Sequence, residues 1–438
     1  MGKNWDYRLL SSVCEEITSG GAAPQGEKYF LNGKYPFVRV VDMGNLQGKK
    51  TMSKTRDMVN DEGAANLRLF PRGTILFTKS GASLLLNQRA ILKDPMFVVS
   101  HIGCLIPNES VLPEWLYYWM KTIDFNVYAH ATTLPSLKLS TIKDLHIPLP
   151  PLSEQARIVA RIEEMFSQLD AGTETLLKTK AQLAVYREAV LKEAFDGTLT
   201  AEWRKTHQSD LSEVLLEVQK EKTKKKRADK YHLEYDVPLK DLPDSWKWVF
   251  VGDISKGPEY GSSQKSLKEG KVPVIRMGNI KNGEIVWEDL AFSDHEAEIK
   301  KYRLKKGDVL FNRTNSPELV GKTAIYRGER EAIFAGYLIR VNQIECVDSV
   351  YLSYYLNSPT AKQYGNKVKT DGVNQSNING TKLCSYPFPL CSLEEQRQVV
   401  YELETRLSVC DSIEQTIETA LQQTEAMRQS ILKDAFNG

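Results

Sequence analysis

Groupings that would build a metal centre or a catalytic site are missing from this chain. Its six cysteines, Cys14, Cys104, Cys346, Cys384, Cys391 and Cys410, are scattered without C-x-x-C spacing. That argues against a zinc site or a disulfide framework and points to a reduced, cytoplasmic setting. The six histidines stand far apart and form no ligand pattern. No run of 18 apolar residues occurs, so no membrane-spanning helix is expected. Met1–Asp6 lack the apolar segment of a secretory signal. The one Pro-Pro pair, Pro150-Pro151, lies between Leu149 and Leu152. The Asn/Asp-Pro-Pro-Tyr/Phe loop with which an amino-methyltransferase holds an extruded base is therefore absent. Gly321-Lys322-Thr323 has Ser316 where a P-loop needs its first glycine. No Gly-x-Ser-x-Gly elbow occurs. The spacing Asp289…Glu298-Ile299-Lys300 resembles a nuclease pattern, but one that arises often by chance. What remains is a binding protein.

Charge of one sign is also scarce, since the net charge is +2. Its distribution says more. Residues 1–150 carry 17 Lys and Arg against 13 Asp and Glu, and residues 241–390 carry 21 against 18. Residues 151–200 and 391–438 are acidic, at −2 and −5. Duplex binding needs a local basic face and not a basic average. Ordinary scatter of surface charge fits the same figures.

The strongest positive signal is an internal repeat. Residues 153–197 match residues 394–438 without a gap, at a constant offset of 241. Gln155/Gln396, Asp170/Asp411, Gln182/Gln423, Arg187/Arg428 and Lys192/Lys433 are identical pairs. The copies close on Leu191-Lys192-Glu193-Ala194-Phe195-Asp196-Gly197 and Leu432-Lys433-Asp434-Ala435-Phe436-Asn437-Gly438. Weaker anchors recur in the same order outside them. Phe37-Val38-Arg39-Val40 answers Val274-Ile275-Arg276-Met277, and Gly73-Thr74-Ile75-Leu76-Phe77-Thr78-Lys79 answers Gly307-Asp308-Val309-Leu310-Phe311-Asn312-Arg313. Pro148-Leu149-Pro150 is matched to Pro387-Phe388-Pro389, which makes Leu390-Cys391-Ser392 a two-residue insertion before Glu394. One fold used twice with two different surfaces suits a target with two halves.

The expected fold class is α+β, with two α/β globules separated by two long repeated helices. Residues 1–150 form the first globule, with strands over Phe37–Val41, Thr74–Phe77 and Met96–Val99 and an aromatic helix over Pro113–Met120. Pro148, Pro150 and Pro151 end it. Residues 151–197 form a long helix with Ser153 as N-cap. Ile162, Leu169, Leu176, Leu183 and Val190 recur every seven residues, as do Leu403, Cys410, Ile417, Thr424 and Ile431 in the second copy, residues 392–438. Ile413, Ala420 and Met427 occupy the other core position there, so the two helices read as imperfect partners in a coiled coil. The alternative is that each packs on its own globule. Residues 198–240 link the halves, with a capping box at Asp210…Glu213, a short helix bearing Val214, Leu215 and Val218, and the basic run Lys220–Arg227. Residues 241–391 form the second globule.

The binding candidates are polar loops at equivalent places. Lys79 and Ser80 with Gln88 and Arg89 are answered by Arg313, Thr314 and Asn315 with Lys322. Thr132 and Thr133 are answered by Asn374 and Gln375. Arg and Lys donate to guanine, Asn and Gln pair with adenine, and Ser and Thr suit phosphates. Ordinary turn chemistry favours several of the same residues.

Two segments then carry a resemblance. Ile147-Pro148-Leu149-Pro150-Pro151-Leu152-Ser153-Glu154-Gln155 leads into the first helix, and Tyr386-Pro387-Phe388-Pro389 with Leu393-Glu394-Glu395-Gln396 leads into the second. With the Leu-Lys-x-Ala-Phe-x-Gly endings, they make the whole chain resemble the specificity subunit of a type I restriction-modification system. The resemblance implies two target recognition domains, each reading one half of a split double-stranded DNA sequence. It implies that the helices pack antiparallel as a spacer and dock two modification subunits, to which restriction subunits add. S-adenosylmethionine, ATP and Mg2+ are then expected on those partners and no cofactor on this chain. A coiled-coil scaffold whose globules bind proteins is the competing class. If the helices are a ruler, inserting four residues in one adds about 6 Å. The gap in the methylated motif should lengthen by about one or two base pairs, and an unchanged gap would discard the ruler.

Overall fold

The computed structural model describes residues 5–46, 49–128, 136–207, 210–224, 231 and 239–436. The chain forms two compact units, Met1–Leu177 with Ile417–Gly438, and Lys178–Thr416. The two long helices are Leu152–Phe195 and Leu393–Phe436, 44 residues each. Each unit therefore holds one globule, the near part of the helix that leaves it, and the far end of the other helix.

In the first unit the central sheet runs in the order Cys14–Ser19, Ile102–Pro107, Ile75–Thr78, Arg89–Leu92, Thr51–Met52. A second sheet runs Asp57–Val59, Tyr35–Val38, Met96–Val98, Leu69–Phe70. Ile75–Thr78 is buried along its whole length and apolar up to Thr78, whose hydroxyl donates to the Ser83 carbonyl at 3.0 Å. The second unit repeats the central sheet as Ser255–Tyr260, Leu338–Gln343, Val309–Asn312, Thr323–Ile325. The strand expected over Phe37–Val41 stops at Val38, because Asp42 accepts from the Arg39 amide at 2.7 Å and opens a helical turn over Val40–Gly44.

Each globule is closed by a two-stranded ribbon, Asp6–Leu9 with His146–Leu149 and Lys247–Phe250 with Pro387–Leu390. Asp6 pairs with Leu149, and Lys247 with Leu390. Both strands thus keep the 241 offset, Pro148 corresponds to Pro389, and the expected insertion does not exist. The aromatic helix caps the ribbon carbonyls. Trp115 Nε1 donates to the Pro148 carbonyl at 3.0 Å, and Tyr351 Oη donates to that of Pro389 at 2.9 Å.

The long helices then start under tight control. Pro151 and not Ser153 caps the first, since its carbonyl accepts from the Gln155 amide at 3.0 Å, and Ser153 is exposed inside the first turn. At the equivalent place the Ser392 carbonyl accepts from the Gln396 amide at 2.9 Å. Gln155 is fully buried. Its Oε1 accepts from the Leu112 amide at 2.8 Å, and its Nε2 donates to the carbonyls of Ser110 (3.0 Å) and Pro150 (2.8 Å). Gln396 repeats this with the Asp348 amide at 2.8 Å and the carbonyls of Cys346 (3.1 Å) and Cys391 (2.9 Å). At the far ends, Phe436 packs on Trp115 in the first unit at 4.5 Å between rings. Phe195 packs on Tyr351 and Tyr355 in the second, at 5.1 and 5.2 Å.

Within each unit the two helices run antiparallel. In the first, Ile158 and Ile162 share a core with Leu432 and Phe436, and Asp170 pairs with Arg428. In the second, Arg187 pairs with Asp411 at 2.7 Å and with Glu414 at 3.1 Å. The pairs are equivalent under the repeat. Along the expected seam Ile162, Val190, Leu403 and Ile417 are buried, and Leu169, Leu176, Leu183 and Ile431 are half-buried. Ile413 and Met427 do not pack there; they are 39% and 53% exposed. The face turns from the i+3 to the i+4 neighbour, where Lys180, Arg187, Glu414 and Arg428 are all half-buried. Their long stems cover the apolar stripe while their charges pair across it.

The linker helix is Ser212–Lys224. The Asp210 carboxylate accepts from the Ser212 amide at 2.8 Å, and this bond lowers its pKa. Val214 and Val218 are buried in the second unit's core. Lys222 pairs with Asp253 at 3.1 Å. In the same unit Arg204 and Thr200 both bond the buried Glu395, at 2.6 and 2.8 Å.

Gln396→Leu would strip partners from one buried and two part-buried backbone groups, each worth up to about 1–3 kcal/mol. Denaturant unfolding of the full chain should show a loss of several kcal/mol, whereas Gln182→Leu, on an exposed face, should be near neutral. Equal unfolding midpoints for the two would refute the brace.

Candidate nucleic-acid interface

The two polar loops of the second globule become one structure. Thr314–Asn315 pairs antiparallel with Ser376–Asn377, which pairs with Thr370–Asp371. The Ile378 amide donates to the Arg313 carbonyl at 2.9 Å, and Asn377 Nδ2 donates to Thr314 Oγ1 at 2.7 Å. The central sheet presents this small sheet at the end of Val309–Asn312. Arg313, Thr314 and Asn315 are half-buried, Asn374 and Gln375 are exposed at the turn, and Lys322 lies alongside, its carbonyl accepting from the Asn312 amide at 2.8 Å. The Arg313 guanidinium stands 4.8 Å over the Tyr260 ring. Its Nε is buried without a hydrogen-bond partner among the described residues.

The first globule has the same junction. The Leu137 amide donates to the Lys79 carbonyl at 2.9 Å, and Ser80 bridges to Ser136. Ser80 Oγ lies 2.9 Å from His101 Nδ1. Gln88 is half-buried beside Gly44. Thr132 and Thr133 lie outside the described residues.

Arg89 does not belong to this surface. It is 3% exposed, and burial pushes its pKa down to about 9. Its guanidinium donates to Asn87 Oδ1 at 2.7 Å and to the Gln88 carbonyl at 2.9 Å, and it lies 3.8 Å over the Phe125 ring. A strand residue covered on both faces cannot reach a ligand, whatever its charge.

Sequence reasoning missed a cleft of about 400 Å³ beside the second junction, lined by Arg276, Lys281, Glu288, Asp289, Tyr337 and Gln375 among others. Arg276 Nη2 donates to the Asp289 carbonyl at 2.7 Å, and the Arg276 amide donates to Asn279 Oδ1 at 3.0 Å. The Arg39 turn in the first globule is built the same way on Asp42. The recurrence of Arg39 and Arg276 at one place in the repeat was the available signal. Tyr337 joins cleft to sheet, because its carbonyl accepts from the Arg313 amide at 3.0 Å. Cations, amides and an exposed aromatic ring on one face are the chemistry that nucleic acids need. Among the described residues no His, Cys, Asp and Glu cluster is placed to hold a metal ion, and no helix is long and apolar enough to cross a membrane.

Comparison with known proteins gives the family and the fold. The family profile described as the type I restriction modification DNA specificity domain matches residues 2–183 and 243–423. The type I restriction enzyme EcoKI specificity subunit of Escherichia coli K12 is 24% identical over 427 residues, covering 94% of this chain and 84% of its own. A chain solved in a study of the complex assembly and conformational transition of the type I R-M system superposes with a TM-score of 0.74 at 17% identity, covering 100% of this chain and 99% of that one. The HsdS subunit from Thermoanaerobacter tengcongensis does so with a TM-score of 0.56 at 18% identity, covering 99% and 97%. At such identities these two structures establish the fold alone.

Burial separates the two arginines experimentally. Arg313→Ala should flatten the slope of log affinity for duplex DNA against log salt by about one unit if it holds a phosphate. Arg89→Met should leave that slope unchanged. The reverse ranking would place the contact surface elsewhere.

Proposed function

The chain belongs to the type I restriction-modification DNA specificity family, and on that premise we propose how it divides the work. It is a non-catalytic, sequence-specific DNA-binding subunit. Residues 1–150 and 241–391 are the two target recognition domains, and each reads one half of a split sequence. Residues 151–197 and 392–438 are the spacer helices, which set the gap and dock two modification subunits. Residues 198–240 connect the halves. The observation that carries this reading is the recurrence, in both globules, of one loop junction at the end of one strand, with different side chains on it. Shared backbone bonds hold Lys79 and Arg313 alike, while the residues around them differ. A common scaffold with divergent tips gives two specificities from one fold.

Methyl transfer lies with the modification subunits, which carry S-adenosylmethionine and extrude the target adenine from the stack. ATP and Mg2+ act on the restriction subunits. This chain contributes position. Backbone amides, Ser and Thr hydroxyls, lysines and Arg313 fix the register on phosphates, and Asn and Gln read base edges. Binding of this kind weakens steeply with salt because counterions are released.

Methylation should be mapped genome-wide in cells holding this chain with its modification subunits, and in cells lacking it. The expected result is one split motif that disappears with the chain and changes in one half only when residues 1–150 are exchanged. A continuous motif, or none, would defeat the two-headed reading in favour of a protein-binding scaffold.

A further inference from the structure

Residues 370–377 form a hairpin whose root and tip differ in kind. At the root, Thr370 pairs with Asn377 and Asp371 with Ser376. Ser376 is fully buried and its hydroxyl donates to Asp371. Lys382 Nζ donates to Thr370 Oγ1 at 2.7 Å, and Lys369 Nζ donates to the Pro317 carbonyl at 3.0 Å. The Gly372 amide closes the turn on the Gln375 carbonyl at 2.8 Å. The root is thus fixed by its own bonds. At the tip, Val373 is 101% exposed, with Asn374 and Gln375 exposed beside it.

An isopropyl group gains nothing from the fold there. It packs on nothing, and the turn itself favours Gly, Asn or Asp. Its neighbours share the anomaly. Among the described residues of the second globule, the exposed large apolar side chains are Tyr260, Leu267, Leu319, Tyr337 and Val373. Tyr260 lies under Arg313, Tyr337 bonds the Arg313 amide, and Leu319 sits in the turn after Asn315. Four of these five therefore stand on or beside one small sheet. A two-stranded ribbon of this size enters a DNA major groove, about 12 Å wide. The thymine 5-methyl is the apolar group displayed on base edges there, and Asn and Gln amides match the adenine edge.

Resting on the function proposed above, we infer that this hairpin enters the major groove and that Val373 packs on the 5-methyl of a thymine in the half-site read by residues 241–391. Asn374 and Gln375 flank it as adenine-reading amides. Val373 is thus a specificity-determining residue for that half-site.

The test uses the full chain assembled with its modification subunits and duplexes carrying the mapped motif. Each thymine of that half-site is replaced in turn by deoxyuridine, which lacks only the methyl. Uracil at one position should weaken binding about four-fold, the transfer value of one buried methyl-sized group. With Val373→Ala, thermal unfolding should not change, affinity for the thymine duplex should fall by a similar factor, and the uracil effect at that position should vanish. No uracil-sensitive position, equal sensitivity in both proteins, or a half-site without an A·T pair overturns the hairpin assignment and leaves the split-site function standing. A motif that is not split overturns both.

Discussion

A buried glutamine holds each half of this protein to its helix. Gln155 and Gln396 each satisfy three backbone groups at the point where the ribbon, the loop before the aromatic helix and the first helical turn converge. An amide accepts through its oxygen and donates twice through its nitrogen, so it meets one backbone amide and two carbonyls without bringing a charge into the core. Because both glutamine side chains are fully buried, the bonds set direction as well as stability, since a tilt of the helix would strand the amides. The phenylalanine at the far end of the other helix then docks on the same aromatic helix. Globule and helix pair become one packed body within each unit.

The charges between the helices do a different job. Pairs such as Arg187 with Asp411 are partly exposed, and such pairs contribute about 0–1 kcal/mol each. Their value lies in register. A slip by one turn would set Arg187 or Arg428 against the wrong neighbours, so the repeated Asp-and-Arg pattern selects one alignment of an otherwise weak apolar stripe. The linker is tied down more firmly, because Glu395 is fully buried against Arg204. Removing either partner would leave a stranded charge.

At the candidate binding face, burial separates Arg313, which is half-buried, from Arg89, which is fully covered. Arg313 follows the last residue of its strand and emerges over Tyr260. Arg89 opens its strand, and its side chain ends among carbonyls and the face of Phe125. Chemistry alone does not separate them. The hairpin beyond Arg313 combines a bonded root with bare side chains at its tip, which would lower the ordering cost of the proposed binding.

By itself, the sequence determined the repeat, the two long helices and three strands of the first globule, the first of them only as far as Val38. Those features depend on local periodicity and on motifs whose parts lie close together in the chain. It also singled out Arg313, Thr314, Asn315, Asn374 and Gln375 as polar loops. Tertiary structure alone decided that these loops form one sheet, since their pairing spans more than 50 residues of chain. It decided that Arg89 is buried, because burial depends on what covers both faces of a sheet. It turned the helix seam away from Ile413 and Met427, since charged partners 227 residues apart select the face. It also corrected the match at Pro387–Pro389, where ribbon pairing and not composition fixes which proline answers which.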